Sequence, residues 1–377
     1  MILSKKAQNI SPSITLAITA NAKKMKKEGI DVISFGAGEP DFDTPSNIKA
    51  AAIDAINKGY TKYTASSGII ELKEAVIKKL HRDNNLNYNT NQIIISCGAK
   101  QALSDTFMAI LNPDDEVIVP VPYWVTYPEL IKLSGGIPVY AKCSKDNNFK
   151  YDFDEIEKLV SEKTKAIIIN SPNNPSGSVY TKNELEKLAE FAKKHDLIII
   201  SDEIYEKLIY GNTRHVSIAS LSDDAYKRTI VINGVSKSYS MTGWRIGYAA
   251  ASEDIVKLMS SIQSHTTSNP SSISQYAALE ALNGDQSTVP MMRNEFLKRR
   301  DYMVKKINSI KDISCSKPEG AFYVLIDISK LFNKKIFNNI IKSSIDFSKY
   351  LLDEEKVAVI PGAGFGIDNY VRLSYAT

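Results

Sequence analysis

Ala166-Ile167-Ile168-Ile169-Asn170, a stretch from Lys182 to His195 with leucines and alanines at helical spacing, and Leu197-Ile198-Ile199-Ile200-Ser201 read in order as strand, helix, strand. Both apolar runs lack the polar alternation of a strand with one wet face, so they belong in a sheet covered on both sides. Two such strands joined by a helical crossover are parallel neighbours. The rhythm extends outward. Further apolar runs stand at Ile93 to Ser96, Glu116 to Pro120, Thr229 to Asn233 and Tyr248 to Ala251, with amphipathic stretches between them. The expected architecture is α/β, with a mostly parallel sheet flanked by helices.

This alternation occupies residues 47–280 of a chain of 377, enough for one large domain. From 281 onward the character changes to a basic, helix-like stretch around Met291 to Ile307 and two short strand runs, Ala321 to Ile326 and Lys356 to Ile360. Between those runs the segment from Leu331 to Leu352 is polar and asparagine-rich. The first 46 residues hold a helix from Ser13 to Lys27 and the turn Gly36-Ala37-Gly38-Glu39-Pro40, too little for a core of their own. The expectation is a small α/β domain assembled from 1–46 and 281–377.

With 47 Lys and Arg against 43 Asp and Glu, the formal charge of +4 is spread too thinly to imply nucleic acid or a membrane surface. Small anionic ligands are the fitting targets. Cys97, Cys143 and Cys315 are odd in number and far apart, which fits free thiols in a reducing, cytoplasmic setting. The start, Met1-Ile2-Leu3-Ser4-Lys5-Lys6, has no apolar export core, and no apolar run is long enough to cross a bilayer. His81, His195, His215 and His265 lack metal-ligand spacing, so no metal is expected.

In open α/β sheets, ligands sit beyond the carboxyl ends of the strands. Four such ends here carry polar clusters. Ile93 to Ser96 leads into Cys97-Gly98-Ala99-Lys100, small residues opening a helix whose free N–H groups and dipole favour a phosphate. Ala166 to Asn170 leads into Ser171-Pro172-Asn173-Asn174-Pro175-Ser176-Gly177, and Leu197 to Ser201 into Asp202-Glu203-Ile204-Tyr205. Thr229 to Asn233 leads into Gly234-Val235-Ser236-Lys237-Ser238-Tyr239-Ser240-Met241-Thr242-Gly243-Trp244-Arg245. Each cluster alone has an ordinary reading as a turn, a helix cap or close packing. Together they place an anion cradle, a carboxylate, a phenol, an amide, an amine and a guanidinium in one crevice. A lysine so placed can hold an aldehyde as a Schiff base while the hydroxyls and Arg245 hold a phosphate on the same molecule.

These motifs, with Ser11-Pro12-Ser13, Gly36 to Phe42, Tyr123-Trp124 and Val371-Arg372-Leu373-Ser374-Tyr375, resemble the pyridoxal-phosphate-dependent class I aminotransferases of fold type I. Within that family they are most similar to the bacterial aspartate aminotransferase subgroup. The resemblance implies that Lys237 forms the Schiff base with pyridoxal 5′-phosphate and later moves the substrate's α-proton. It also implies that Asp202 pairs with the pyridine nitrogen, Tyr205 and Asn174 bond the 3′-oxygen, and Trp124 stacks on the ring. Ser236, Arg245, Gly98 and Ala99 would take the phosphate, joined by Tyr63 from a neighbouring subunit, which implies a homodimer with shared active sites.

For substrate, the resemblance assigns the α-carboxylate to Arg372, with Gly38, Trp124 and Asn174 assisting, and the distal carboxylate to Lys100 and Ser13. Lys100 also borders the cofactor. A cation at the positive end of a helix dipole is misplaced unless an anion is expected there. The implied reaction moves an amino group from an L-amino acid, aspartate in the first instance, to 2-oxoglutarate in two half-reactions. Alternatives are a prephenate, aromatic, branched-chain or alanine-type aminotransferase, a C–S β-lyase, or a sensor domain that holds the cofactor without turnover. The chain ends at Thr377, where the family's pattern continues through a further helix, so Arg372 is expected to be loosely held. Gly362-Ala363-Gly364-Phe365-Gly366 lacks the spacing of a dinucleotide motif and is expected to be a flexible loop beside Arg372.

Overall fold

The apolar runs assemble as one seven-stranded sheet in the computed structural model, which describes residues 3–336 and 339–377. Met1 and Ile2 of the N-terminal stretch, and Phe337 and Asn338 of the asparagine-rich segment, lie outside the described residues. The strands are β1 Ile93–Ser96, β2 Glu116–Val121, β3 Ile137–Lys142, β4 Thr164–Asn170, β5 Ile198–Asp202, β6 Thr229–Gly234 and β7 Gly247–Ala250. Their order across the sheet is β1-β7-β6-β5-β4-β2-β3. From β6 to β3 every pairing is parallel, while β7 runs antiparallel to both of its neighbours.

Continuous apolar runs form these strands because both faces are covered. Ala166 and Ile168 of β4 pack into a cluster with Leu103, Phe107 and Ile131, while Ile167 and Ile169 face Leu185, Leu188 and Phe191 on the other side. The helix Lys182–Lys194 starts at a capping box between Thr181 and Glu184 and buries Leu185, Leu188, Ala189 and Ala192 on one stripe. Each fully buried leucine there contributes about 1.5–3 kcal/mol of transfer free energy. The missed strand is β3, an edge strand whose Ile137 and Tyr140 stay exposed and which contains Pro138, so its pattern reads as loop.

A second sheet holds β8 Ser314–Cys315, β9 Tyr323–Asp327, β10 Ile360–Pro361 and β11 Tyr370–Ser374, in the antiparallel order β10-β11-β9-β8. The expected Lys356 to Ile360 run is thus divided: Val357–Ala358 pairs in parallel with Ile33–Ser34, and β10 begins at Ile360. Around it Ala22 and Val32 from the start of the chain share a core with Leu352 and Ala358. Among the described residues no helix is long and apolar enough to cross a membrane.

Two expectations for the C-terminal part are corrected. Arg372 is not loosely held: it sits in mid-strand on β11, opposite Leu325 on one side and Ile360 on the other, and is 2% exposed. Burial and pairing, rather than distance from the terminus, decide how well a residue is held. The glycine run is a hydrogen-bonded turn instead of a flexible loop. Ile367 N–H donates to Gly362 O at 3.0 Å, Phe365 is fully buried, and a Cβ on Gly362 would lie 2.1 Å from Ile367 O. Glycine is required there by close backbone approach.

Candidate active site

A cavity of about 360 Å³ opens at the carboxyl ends of β4, β5 and β6 and reaches β9 and β11. Asp202, the last residue of β5, closes one side of it. The Tyr127 hydroxyl donates to its Oδ2 at 2.6 Å and the Ile204 N–H to its Oδ1 at 3.2 Å. Burial pushes its pKa up to about 6, against the downward pull of those two donors. Asn170 ties the neighbouring strand ends together. Its Nδ2 donates to Asp202 O at 3.0 Å, and its Oδ1 accepts from the Asn174 N–H at 2.8 Å.

Lys237 follows β6 in a turn closed by Tyr239 N–H to Val235 O and Met241 N–H to Ser236 O. Its ammonium donates to Gly38 O at 2.6 Å and lies 5.9 Å from the centres of the Tyr205 and Phe322 rings. Burial pulls its pKa down to about 8, and Arg245 and Arg372 push the same way while Glu39 and Asp202 oppose. Roughly a tenth of this amine is therefore neutral and nucleophilic at pH 7, far more than at the ordinary lysine value.

Arg245 has a left-handed backbone (φ 57°) that turns its guanidinium back toward the start of the helix Ala99–Ile110. It donates to Thr242 O at 2.9 Å and Cys97 O at 3.3 Å, and among the described residues it has no carboxylate partner. Gly98 (φ 83°) leaves the space it needs, because a Cβ there would lie 2.4 Å from Arg245 Nη2. Gly98→Ala is therefore expected to displace the guanidinium and to cost about 1–3 kcal/mol of backbone strain. An unchanged urea unfolding midpoint would contradict this.

Arg372 is held on four sides. Nη1 donates to Asn174 Oδ1 at 2.9 Å and Nη2 to Gly36 O at 3.4 Å, while its faces lie 4.2 Å from the centre of the Tyr323 ring and 5.0 Å from that of Phe365. Its Nε is buried without a hydrogen-bond partner. A buried guanidinium with an orphan Nε donor and no carboxylate partner among the described residues fits an anionic ligand. Lys100 has its amine 5.1 Å above the Trp124 ring with no ion-pair partner among the described residues, and burial, then the charge of Arg245, lowers its pKa. Ser13 caps the helix Ile14–Lys27 by accepting from the Leu16 N–H, leaving its own proton free to donate.

Of the residues expected from sequence, Ser13, Gly38, Ala99, Lys100, Trp124, Asn174, Asp202, Tyr205, Ser236, Lys237, Arg245 and Arg372 line this cavity. Gly98 stands just behind it against Arg245. Tyr63 does not line it; its side chain is 90% exposed on the single chain. Sequence reasoning missed Tyr127, Asn170, Thr242 and Tyr323, since a tyrosine reaching Asp202 from 75 residues away leaves no local signal. Behind the site, His215 joins Glu203 and Glu206 in a group whose ligand atoms lie within 4.8 Å of one another. Lys79 pairs with Glu206, and the Ser201 and Ser217 hydroxyls donate to Glu203.

The family described as aminotransferase class I and II matches residues 30–377. An aspartate aminotransferase of Bacillus sp. (strain YM-2) is 52% identical over 377 residues, covering 100% of this chain and 95% of that one. A probable aspartate/prephenate aminotransferase of Rickettsia bellii is 48% identical over 378 residues, with 100% and 95% covered. The crystal structure of the aspartate aminotransferase from Rhizobium meliloti superposes with a TM-score of 0.96 at 42% identity, covering 100% of this chain and 95% of that one. The aspartate aminotransferase from Thermus thermophilus with maleate gives 0.94 at 40% identity, with 100% and 96% covered. This chain belongs to the class I and II aminotransferase family and is an aminotransferase.

Proposed function

We propose that the chain is a pyridoxal-phosphate-dependent aspartate aminotransferase with 2-oxoglutarate as amino acceptor. The observation that carries the reading is one cavity holding a depressed amine at Lys237, a buried carboxylate at Asp202 and two guanidinium groups without acidic partners among the described residues. These residues fit the cofactor: Arg245, Ser236 and the Ala99 amide would cradle its phosphate beside Gly98, whose own N–H is taken by Ser96 O at 2.7 Å, and the buried Nε of Arg372 has no hydrogen-bond partner. When bound, the cofactor supplies an electron-withdrawing ring to the substrate's α-carbon.

Lys237 Nζ would hold the cofactor at its aldehyde carbon, and the same amine is placed to move the substrate's α-proton. General acid–base transfer of this kind contributes about 10²–10⁴-fold. Asp202, fixed by Tyr127 and Ile204, would accept a hydrogen bond from the ring nitrogen and keep it protonated. A cation beside Asp202 favours its charged form and reverses part of the upward shift of its pKa. Tyr205 and Asn174 would donate to the ring's oxygen, and Trp124 would cover the ring face. Arg372 grips the α-carboxylate, and Lys100 with Ser13 takes the distal one, which selects a four- or five-carbon dicarboxylate.

Tyr63, so exposed on one chain, completes the phosphate site of a second copy in a homodimer. Residues 47–280 act as the cofactor-binding domain, and 1–46 with 281–377 as the smaller one. Three free cysteines suit a cytoplasmic setting.

A donor and acceptor panel tests the assignment: aspartate with 2-oxoglutarate should yield oxaloacetate and glutamate, and faster turnover with prephenate as acceptor would replace it. A second prediction concerns pH. Because burial places Lys237 at about 8, cofactor capture by cofactor-free protein should accelerate with rising pH and level off above a midpoint near that value. A midpoint near the ordinary lysine range, followed by stopped-flow absorbance, would contradict it.

A further inference from the structure

Tyr323, on β9, touches both halves of the site. Its hydroxyl lies 2.9 Å from the Tyr205 hydroxyl, and its ring is the closer of the two that meet the Arg372 guanidinium, at 4.2 against 5.0 Å. It is 1% exposed, and the Tyr205 and Phe322 rings meet it at centroid distances of 5.8 and 4.7 Å. The side chain therefore has no freedom to leave either partner.

We propose that Tyr323 is a positioning residue with two separable tasks: its hydroxyl tunes the donor strength of Tyr205, and its ring orients the Arg372 fork for a carboxylate. This rests on the roles proposed above for Tyr205 and Arg372. A tyrosine hydroxyl has one proton. When Tyr205 gives its proton to the cofactor's ring oxygen, the Tyr205–Tyr323 contact has one available polarity, with Tyr323 donating and the Tyr205 oxygen accepting. A hydroxyl that accepts a hydrogen bond is a stronger donor, so Tyr323 strengthens the bond from Tyr205. The ring's task is geometric. Asn174 and Gly36 fix the two Nη atoms in the guanidinium plane, and the Tyr323 face fixes the tilt of that plane.

The charged and titratable groups that face this pair are Arg372 from β11, Asp202 from β5, Lys237 from the turn after β6 and Tyr127 from the helix Thr126–Leu133. Tyr323→Phe leaves all four in place.

The test uses the cofactor-loaded protein and two readouts that do not depend on turnover: the pH midpoint of the visible absorbance band, and the Kd of succinate, which cannot react, from the spectral change it causes. Tyr323→Phe should raise the pH midpoint by roughly half a unit, as one neutral hydrogen bond acting through another would, and leave the succinate Kd within about twofold. Tyr323→Leu, which also lacks the ring, should in addition weaken succinate by about tenfold, as expected for losing a cation–π contact in a desolvated site. An unmoved midpoint in Tyr323→Phe, or an unmoved Kd in a folded Tyr323→Leu, overturns the proposal. If the unaltered protein shows neither band nor succinate response, the reading of the site itself fails, a result distinct from silent variants in a responsive protein.

Discussion

Lys237→Ala is expected to remove the visible absorbance near ~400 nm of the cofactor-loaded protein and to abolish transamination while the fold remains. The fold should persist because the side chain's one hydrogen bond is to Gly38 O, and its burial penalises the charged amine. The loss should exceed the roughly 10²–10⁴-fold of a missing acid–base group, because the covalent attachment goes as well. Among the residues lining the cavity, Lys100 carries the other amine, but it stands over Trp124 with no turn aiming it toward Asp202. A retained band in Lys237→Ala would move the covalent role to Lys100 and sink the assignment of Lys237.

The second large effect is expected at Arg372. Arg372→Ala should raise the KM for aspartate by a loss of about 1.5–3 kcal/mol for each charge-assisted hydrogen bond forfeited. Because it also empties a buried space between Tyr323 and Phe365, Arg372→Lys is the sharper variant. It keeps a cation but not the planar fork, so KM should still rise, with a smaller change in kcat. Steady-state kinetics over a range of aspartate concentrations reads the split. An unchanged KM in both variants would place the α-carboxylate elsewhere.

Much of this was legible in the sequence for physical reasons. The run from Ile93 to Ser96 matches its strand because doubly covered strands are apolar throughout. Asp202 and Lys237 could be singled out because they follow such runs, and crevices form there. What escaped notice depended on contacts distant in sequence. β3 hid because an edge strand keeps exposed residues, and β11 because its five residues enclose an arginine that looks polar in sequence yet is buried in a fork. The antiparallel direction of β7 has no local signature. Tyr127 and Tyr323 are two of 19 tyrosines, and only the fold brings their hydroxyls to Asp202 and Tyr205. The expected slackness of Arg372 failed because position along the chain says little about a residue paired on both sides.

The most direct measurement is borohydride reduction of the cofactor-loaded protein, followed by proteolysis and mass spectrometry. Here the expected result is a single modified peptide containing Lys237, with the added mass on that side chain. Modification at another lysine, or no stable adduct at all, would contradict the claim that this buried amine carries the cofactor.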